Sequence, residues 1–486
     1  MNSQAFNDVV QKVRDVLLTS PAPAQDLIGA ERACEDLLTA NRDSAPIVFL
    51  LACVYAKQQR FALAEHSLRR AIEMAPDMYE PWNHLGFVYQ HEGRFDEAKE
   101  AFERALGLDE SGSPEVRANL TGVLINNGTS QRAVDECNRV LADHPDHVDA
   151  KWNRSLAYLE LGEWEKGWID HRAGLTVDPR SNDCMRKTRK YANNLPYWDG
   201  TPSQKLVIYG EQGVGDEIMA ASMLPDLYAE NPDIMFECHP RLVTLFRRAF
   251  GDKFPIYGTR KVQADMLPWV SWATPEAKVP IFSLGERYRN SAGEFPRQPF
   301  LVPLEEYREK ARDYLASIGS GVKIGICWQG GSLPTRADKR SIPLPAWLPL
   351  LEGVDAEWIS LQYDHAERPG MWEPIIQQFN ADKGVNIHHS TLWANDLDLC
   401  YGALIHELDY IITVNTSLVH ACGAMGVRCL SLTPRTAAWR YGLEGTTMPW
   451  YGDHVQLERQ KGREWEQVIK EITPRIRKQF SQKVAA

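Results

Sequence analysis

A recurring spacing of 34 residues in the first third of the chain limits what that third can fold into. The clearest unit spans 79–110 and carries Trp82, Leu85, Gly86, Tyr89, Gly93, Ala98, Phe102 and Ala105. One period earlier, Leu51, Ala52, Tyr55, Ala64, Leu68 and Ala71 occupy the same positions, with Pro76 closing the unit. One period later, after one extra residue in 111–114, come Leu120, Leu124, Gly128, Ala133, Cys137, Val140 and Pro145. A fourth unit carries Tyr158, Gly162, Gly167 and Trp168, and a weaker one precedes the series at 11–42. Small residues at fixed places let paired helices approach, and the Tyr and Phe fill the holes between neighbours.

These positions resemble the tetratricopeptide pattern, W-x-x-L-G-x-x-Y followed by G, A, F and A. The resemblance predicts an α-helical solenoid over residues 1–175, presenting a concave surface to a protein or peptide partner, or serving only to brace the rest of the chain. Residues 176–201 lack periodicity and read as a linker.

Length leaves room for two to four domains in 486 residues. A formal net charge of −11 argues against a general nucleic-acid backbone binder. Nine cysteines, odd in number and without a CxxC, fit reduced thiols better than a disulfide framework or a zinc site. The first residues lack a basic stretch followed by an apolar run, and no run approaches the length of a membrane span. The expectation is a cytoplasmic protein with no transmembrane helix.

Beyond residue 201 the pattern changes to strands alternating with helices. A first series has strands at 205–209, 234–238 and 254–257, with helices at 217–228, where Pro225 marks a kink or an early stop, and at 241–250. A second starts at 322–328 and continues through strands at 358–362, 385–388, 411–414 and 427–432, with helices between them. Two such series joined by an irregular stretch at 290–321 imply two doubly wound domains, 202–315 and 316–486, facing each other across a cleft. Residues 465–480 read as a closing helix.

Ligands of open parallel sheets sit at the carboxyl ends of strands, which singles out two loops. In 411–426, a buried strand runs straight into Asn415, Thr416 and Ser417, all good N-cap residues, and then into a helix carrying His420 and Gly423. Unpaired N–H groups and the dipole at such a start favour an anion; an ordinary strand–helix unit reads the same way. The other loop, 210–216, is Gly-Glu-Gln-Gly-Val-Gly-Asp. It matches neither the dinucleotide fingerprint nor the P-loop. Gly213 and Gly215 let backbone turn tightly beside Gln212, and Asp216 falls at a helix start, where it caps or complements the dipole.

Taken together, 213–216, the loop containing Arg336, Lys339 and Arg340, and Asn415-Thr-Ser-x-x-His420-x-x-Gly423 resemble heptosyltransferase-type GT-B glycosyltransferases. With the repeats, the architecture is also similar to O-GlcNAc transferases; repeat-bearing relatives share Trp439-Arg440 and Pro449-Trp-Tyr451. The resemblance implies an inverting, metal-independent transfer of sugar from a nucleotide-diphosphate donor to a protein or glycan acceptor, without a cofactor. It places Asp216 as general base, Gln212, Gly213 and Gly215 on the acceptor side, and Lys339 or Arg340, Asn415, Thr416, Ser417, His420 and Gly423 against the donor. Asp364, after the strand at 358–362, reads as a ribose ligand or a solvated turn. Many relatives are acidic where this chain has Asn415. Asp396 and Asp398 read as charge at a helix start rather than a metal pair. The alternatives are a repeat scaffold with a degenerate GT-B domain and a nucleotide-sugar epimerase.

Overall fold

The computed structural model describes residues 3–19, 22–109, 112–176, 186, 195–260, 274–331, 340–364 and 368–481. The chain divides into two compact units, Met1–Leu161 with Lys166–Lys187, and Gly162–Glu165 with Thr188–Ala486.

The first unit is a helical solenoid. Among the described residues, α1 (Ser3–Leu18), α2 (Ala24–Ala40), α3 (Ala45–Lys57), α4 (Phe61–Met74), α5 (Tyr79–His91), α6 (Phe95–Leu108), α7 (Pro114–Asn126), α8 (Ser130–Asp143) and α9 (Val148–Leu161) lead to α10 (Trp164–His171). Helix pairs recur at the spacing seen in the sequence, and each repeated position does the packing expected of it. A Cβ on Gly86 would lie 2.8 Å from the Phe102 ring, so only glycine lets α5 and α6 close to this distance. Leu68, Ala98, Phe102, Ala105, Leu120, Leu124 and Ala133 are wholly buried, and each large one contributes about 1.5–3 kcal/mol of burial.

The second unit holds two sheets. The first runs in the order β3–β2–β1–β4, with β1 (Leu206–Tyr209), β2 (Ile234–Glu237), β3 (Ile256–Tyr257) and β4 (Ala277–Pro280), all parallel. The second comprises β5 (Lys323–Cys327), β6 (Glu357–Ser360), β7 (Ile387–His388), β8 (Tyr410–Val414), β9 (Cys429–Thr433), β10 (Thr447–Met448) and β11 (Gly452–Arg459). Their order is β10–β11–β9–β8–β5–β6–β7, parallel except for the β10–β11 hairpin. Strands β5, β8 and β9 are buried throughout, as continuous apolar runs in parallel sheets require.

Differences from the sequence reading have local causes. The helix expected over 217–228 is two, Val214–Ala221 and Leu224–Glu230, because Pro225 sits in the first turn of the second and cannot continue the first. The stretch expected to be irregular at 290–321 contains the helix Glu305–Ile318. Three strands that pattern reading did not mark, β4, β10 and β11, complete the sheets. The close of the expected linker is ordered against β4, with Trp198 N–H donating to Lys278 O at 3.0 Å. The closing helix is Trp465–Ser481 and buries Ile469, Ile472 and Ile476 in the core of the second sheet. Among the described residues no helix is long and apolar enough to cross a membrane.

Candidate functional site

The carboxyl ends of β1 and β8 each feed a helix, and those two helices meet. After β1, Gly213 caps the helix Val214–Ala221. Its N–H donates to Asp216 Oδ2 at 3.0 Å, so Asp216 closes the first turn by reaching back, the acidic half of a capping box. After β8, Thr416 caps the helix Ser417–Met425, its hydroxyl accepting from Leu418 N at 3.2 Å. A Cβ on Gly215 would lie 2.7 Å from His420 Cδ2 and 3.0 Å from Ser417 Cα, so glycine is what lets one helix start rest on the other. Both positive dipole ends therefore converge on one place.

Asp216 is met there by Arg440, from the segment after β9. The Nε of Arg440 donates to Asp216 Oδ1 at 2.9 Å and Nη2 donates to the same oxygen. The pair is largely enclosed, with side-chain exposures of 13% for Asp216 and 17% for Arg440. Arg340 stands close enough to feel both. Burial holds its guanidinium below the usual value, the charge of Arg440 lowers it further, and Tyr441, Tyr363 and Asp216 act the other way. Arg340 Nε also donates to Gly330 O at 3.2 Å, tying it to the loop after β5.

The remaining expected site residues divide sharply. Ser417 shares a 2.6 Å hydrogen bond with Tyr401 and stays at the helix start. His420 is buried at the seam between the two helices, its Nδ1 3.4 Å from Tyr451 OH. Burial and the charge of Arg440 hold its pKa well below that of free imidazole, so the ring is neutral. Asn415 is not the cap: its Oδ1 accepts from Ser431 Oγ at 2.7 Å and Thr433 Oγ1 at 3.3 Å, which binds β8 to β9. Gly423 is taken up by packing, since a Cβ there would lie 2.1 Å from the Tyr451 ring. Asp364 accepts from Gly370 N at 2.7 Å, Trp372 N at 3.3 Å and Asn395 Nδ2 at 2.7 Å, which makes it the organiser of its own turn. Lys339, like Arg336, lies outside the described residues.

Gln212 and Gly213 are exposed beside Asp216. Gln212 has φ of +60°, the left-handed region that a side chain resists. A second carboxylate holds it there. Glu217 Oε2 accepts from His239 N at 2.7 Å, and its Oε1 pairs with Arg260, whose Nη2 also donates to Gln212 O. Burial drives the Glu217 carboxyl up to about 7, outweighing the opposing pull of Arg260. Neither Glu217 nor Arg260 was singled out by the sequence; the adjacent acid beside Asp216 was the available signal.

Elsewhere, Asp396 caps the helix Leu397–Gly402, and Asp398 pairs with Arg248 at 2.5 Å, so the two aspartates serve a helix start and an ion pair. His388 and His389 bond Glu357 and Ser360. Among the described residues no group of three His, Cys, Asp or Glu side chains is placed to hold a metal ion.

A family model for the tetratricopeptide repeat protein 21 C-terminal ARM domain matches residues 40–152. Protein FlbA of Caulobacter vibrioides is 25% identical over 472 residues, 88% of this chain and 77% of its own length. Human tetratricopeptide repeat protein 21A is 26% identical over 111 residues, 23% of this chain and 8% of that protein. The similarity to FlbA thus covers more of the chain than the first unit holds. Among solved structures, a crystal structure of MamA covers 31% of this chain and 88% of its own, at 20% identity and a TM-score of 0.29.

Proposed function

We propose that the second unit is a GT-B glycosyltransferase domain and that it moves a sugar from a nucleotide-diphosphate donor to an acceptor hydroxyl, with inversion and without a metal, while the repeats engage a protein acceptor or partner. One observation carries this reading. The carboxylate at the start of the first helix stands against a second helix start and two arginines brought from the other sheet. In the proposed step the acceptor oxygen forms a bond to the anomeric carbon as the bond to the diphosphate oxygen breaks. The hydroxyl proton passes to Asp216, and the charge growing on the diphosphate falls to Arg340 and the N–H groups of the Ser417 start. Each donor aimed at that charge contributes about 2.7–4 kcal/mol to lowering the barrier.

Turnover of UDP-, GDP-, ADP- and dTDP-sugars by the full chain, with hydrolysis to the free sugar as the minimum activity, is the deciding assay. Asp216→Asn is expected to lose about 10²–10⁴-fold in rate while still binding donor, as removal of a general base does. A rate within twofold of the unaltered chain takes Asp216 out of the mechanism.

A second reading has an observation of its own. The two walls touch, Gly215 on Ser417 and Asp216 on Arg440, as suits a repeat scaffold whose α/β unit only supports it. That reading predicts no turnover with any donor and no binding of a nucleoside diphosphate.

A further inference from the structure

The guanidinium of Arg440 is committed in an incomplete way. Nε and Nη2 both donate to a single oxygen of Asp216, Oδ1, whereas an arginine fork ordinarily spans both oxygens of a carboxylate. The other oxygen, Oδ2, belongs to the Gly213 N–H. Among the described residues, Nη1 of Arg440 has no hydrogen-bond partner. Arg340 stands close enough to Asp216 and Arg440 to feel both, and the buried His420 is neutral. A guanidinium with one uncommitted nitrogen beside two helix starts suits an anion with more than one negative oxygen.

We infer that Arg440 is a shared residue, held by Asp216 in one arrangement and by the diphosphate of a nucleotide-diphosphate ligand in another, so that anion and carboxylate compete for one guanidinium. This rests on the glycosyl-transfer reading for the identity of the anion. The competition has a chemical consequence. While Arg440 donates twice to Oδ1, that oxygen is poorly disposed to accept a hydroxyl proton. When a diphosphate takes the guanidinium, Asp216 retains only the Gly213 N–H and its Oδ1 is free to accept a hydroxyl. Arg440 is then a positioning residue that makes proton acceptance depend on a bound donor, and a ligand shifts this balance only through its stronger hold on one arrangement.

A double-mutant cycle tests the competition directly. Inorganic pyrophosphate is titrated calorimetrically into the full chain, Asp216→Asn, Arg440→Gln and the double variant, with circular dichroism confirming that each is folded. Removing the competing charge in Asp216→Asn is expected to tighten pyrophosphate about tenfold, the scale of one charge-assisted bond. Arg440→Gln is expected to weaken it by a similar factor, and Asp216→Asn is expected to add nothing in that background. An equal gain from Asp216→Asn with or without Arg440 overturns the inference, because carboxylate repulsion alone then accounts for it. Absence of pyrophosphate binding in all four proteins also overturns it, leaving the sugar-turnover assay to judge the enzymatic reading. The expected cycle without turnover of any sugar donor leaves the inference standing and removes the enzymatic reading.

Discussion

The two units solve the problem of placing charged groups in opposite ways. In the solenoid one contact is made again and again at the repeat spacing. Arg60 pairs with Glu31 at 2.7 Å and lies 4.7 Å over the Tyr55 ring, and one period on, Arg94 pairs with Glu65 at 2.9 Å and lies 4.0 Å over Tyr89. Partners stay close in sequence, 29 residues apart in both pairs. In the α/β unit the ion pairs that reach furthest join distant segments and have no repeated counterpart: Asp216 to Arg440 across 224 residues, Arg248 to Asp398 across 150. A repeated contact spreads its contribution along the array, whereas a singular one sets a geometry that nothing else duplicates. Damage to the first unit should therefore be read in stability, and damage to the second in ligand binding.

The largest stability effect is expected in the solenoid core. Phe102→Ala empties a wholly buried site against Gly86 and should cost about 3–5 kcal/mol of unfolding free energy. Pyrophosphate affinity should stay within twofold. A large loss of affinity would show that the α/β site depends on an intact solenoid.

Next in size is a pH effect confined to the α/β unit. The Glu217 carboxyl is raised from 4.5 to about 7 by burial, so the fold favours its protonated form. Its contribution is complete below about pH 4.5, declines as pH rises and is gone above about pH 7. At about 1.36 kcal/mol per pH unit this amounts to about 3 kcal/mol. Chemical denaturation between pH 4.5 and 8 should show the unaltered chain losing that much relative to Glu217→Gln. Parallel curves for the two would mean that Arg260 holds Glu217 ionised throughout.

The same contrast governs what a reader of the sequence alone can see. The repeats are legible because each position is tested several times: Gly86 and Phe102 or Tyr55 and Tyr89 recur in register, and no distant residue is needed to interpret them. The strands β1, β5, β8 and β9 are legible as apolar runs, and Thr416, Ser417 and Asp216 as residues suited to helix starts. What sits opposite Asp216 was not legible, since nothing local to Arg440 says that it reaches a carboxylate 224 residues earlier. For the same reason Asn415 and Gly423 read as ligand contacts, although cross-strand hydroxyls and the Tyr451 ring occupy them. Asp364 illustrates the converse. Its three hydrogen bonds come from a turn and a neighbouring helix that had no periodicity to reveal them.

A matched pair of glycine substitutions sharpens the comparison. Gly86→Ala pushes a methyl into the Phe102 ring, and overpacking of about 1–3 kcal/mol is partly offset by about 1 kcal/mol of helix propensity. The net loss of about 0–2 kcal/mol should appear in denaturation alone. Gly215→Ala meets the backbone of Ser417 at 3.0 Å as well as the His420 ring, so the two helix starts must separate. It should weaken pyrophosphate binding and turnover while costing no more stability than Gly86→Ala. Equal functional loss from both would mean that site geometry depends on overall stability rather than on this contact.

The smallest stability effects come from the arginines themselves, and there the regions part most clearly. Arg94→Ala removes ion pairs to Glu65, Glu92 and Glu97, whose side chains are 20%, 29% and 49% exposed, each worth about 0.2–1 kcal/mol where water screens it. Tyr89 loses a cation above its ring, but the equivalent Arg60–Glu31 pair persists one repeat away. Ligand binding should not change. Arg440→Gln removes one guanidinium from one carboxylate, yet Asp216 keeps its bond from the Gly213 N–H and the helix start remains capped. Its effect on unfolding should therefore be no larger than that of Arg94→Ala, while pyrophosphate affinity falls. If Arg440→Gln instead destabilised the chain by several kcal/mol and left affinity unchanged, the Asp216–Arg440 pair would be a strut, and the α/β unit would use its singular contacts as the solenoid uses its repeated ones.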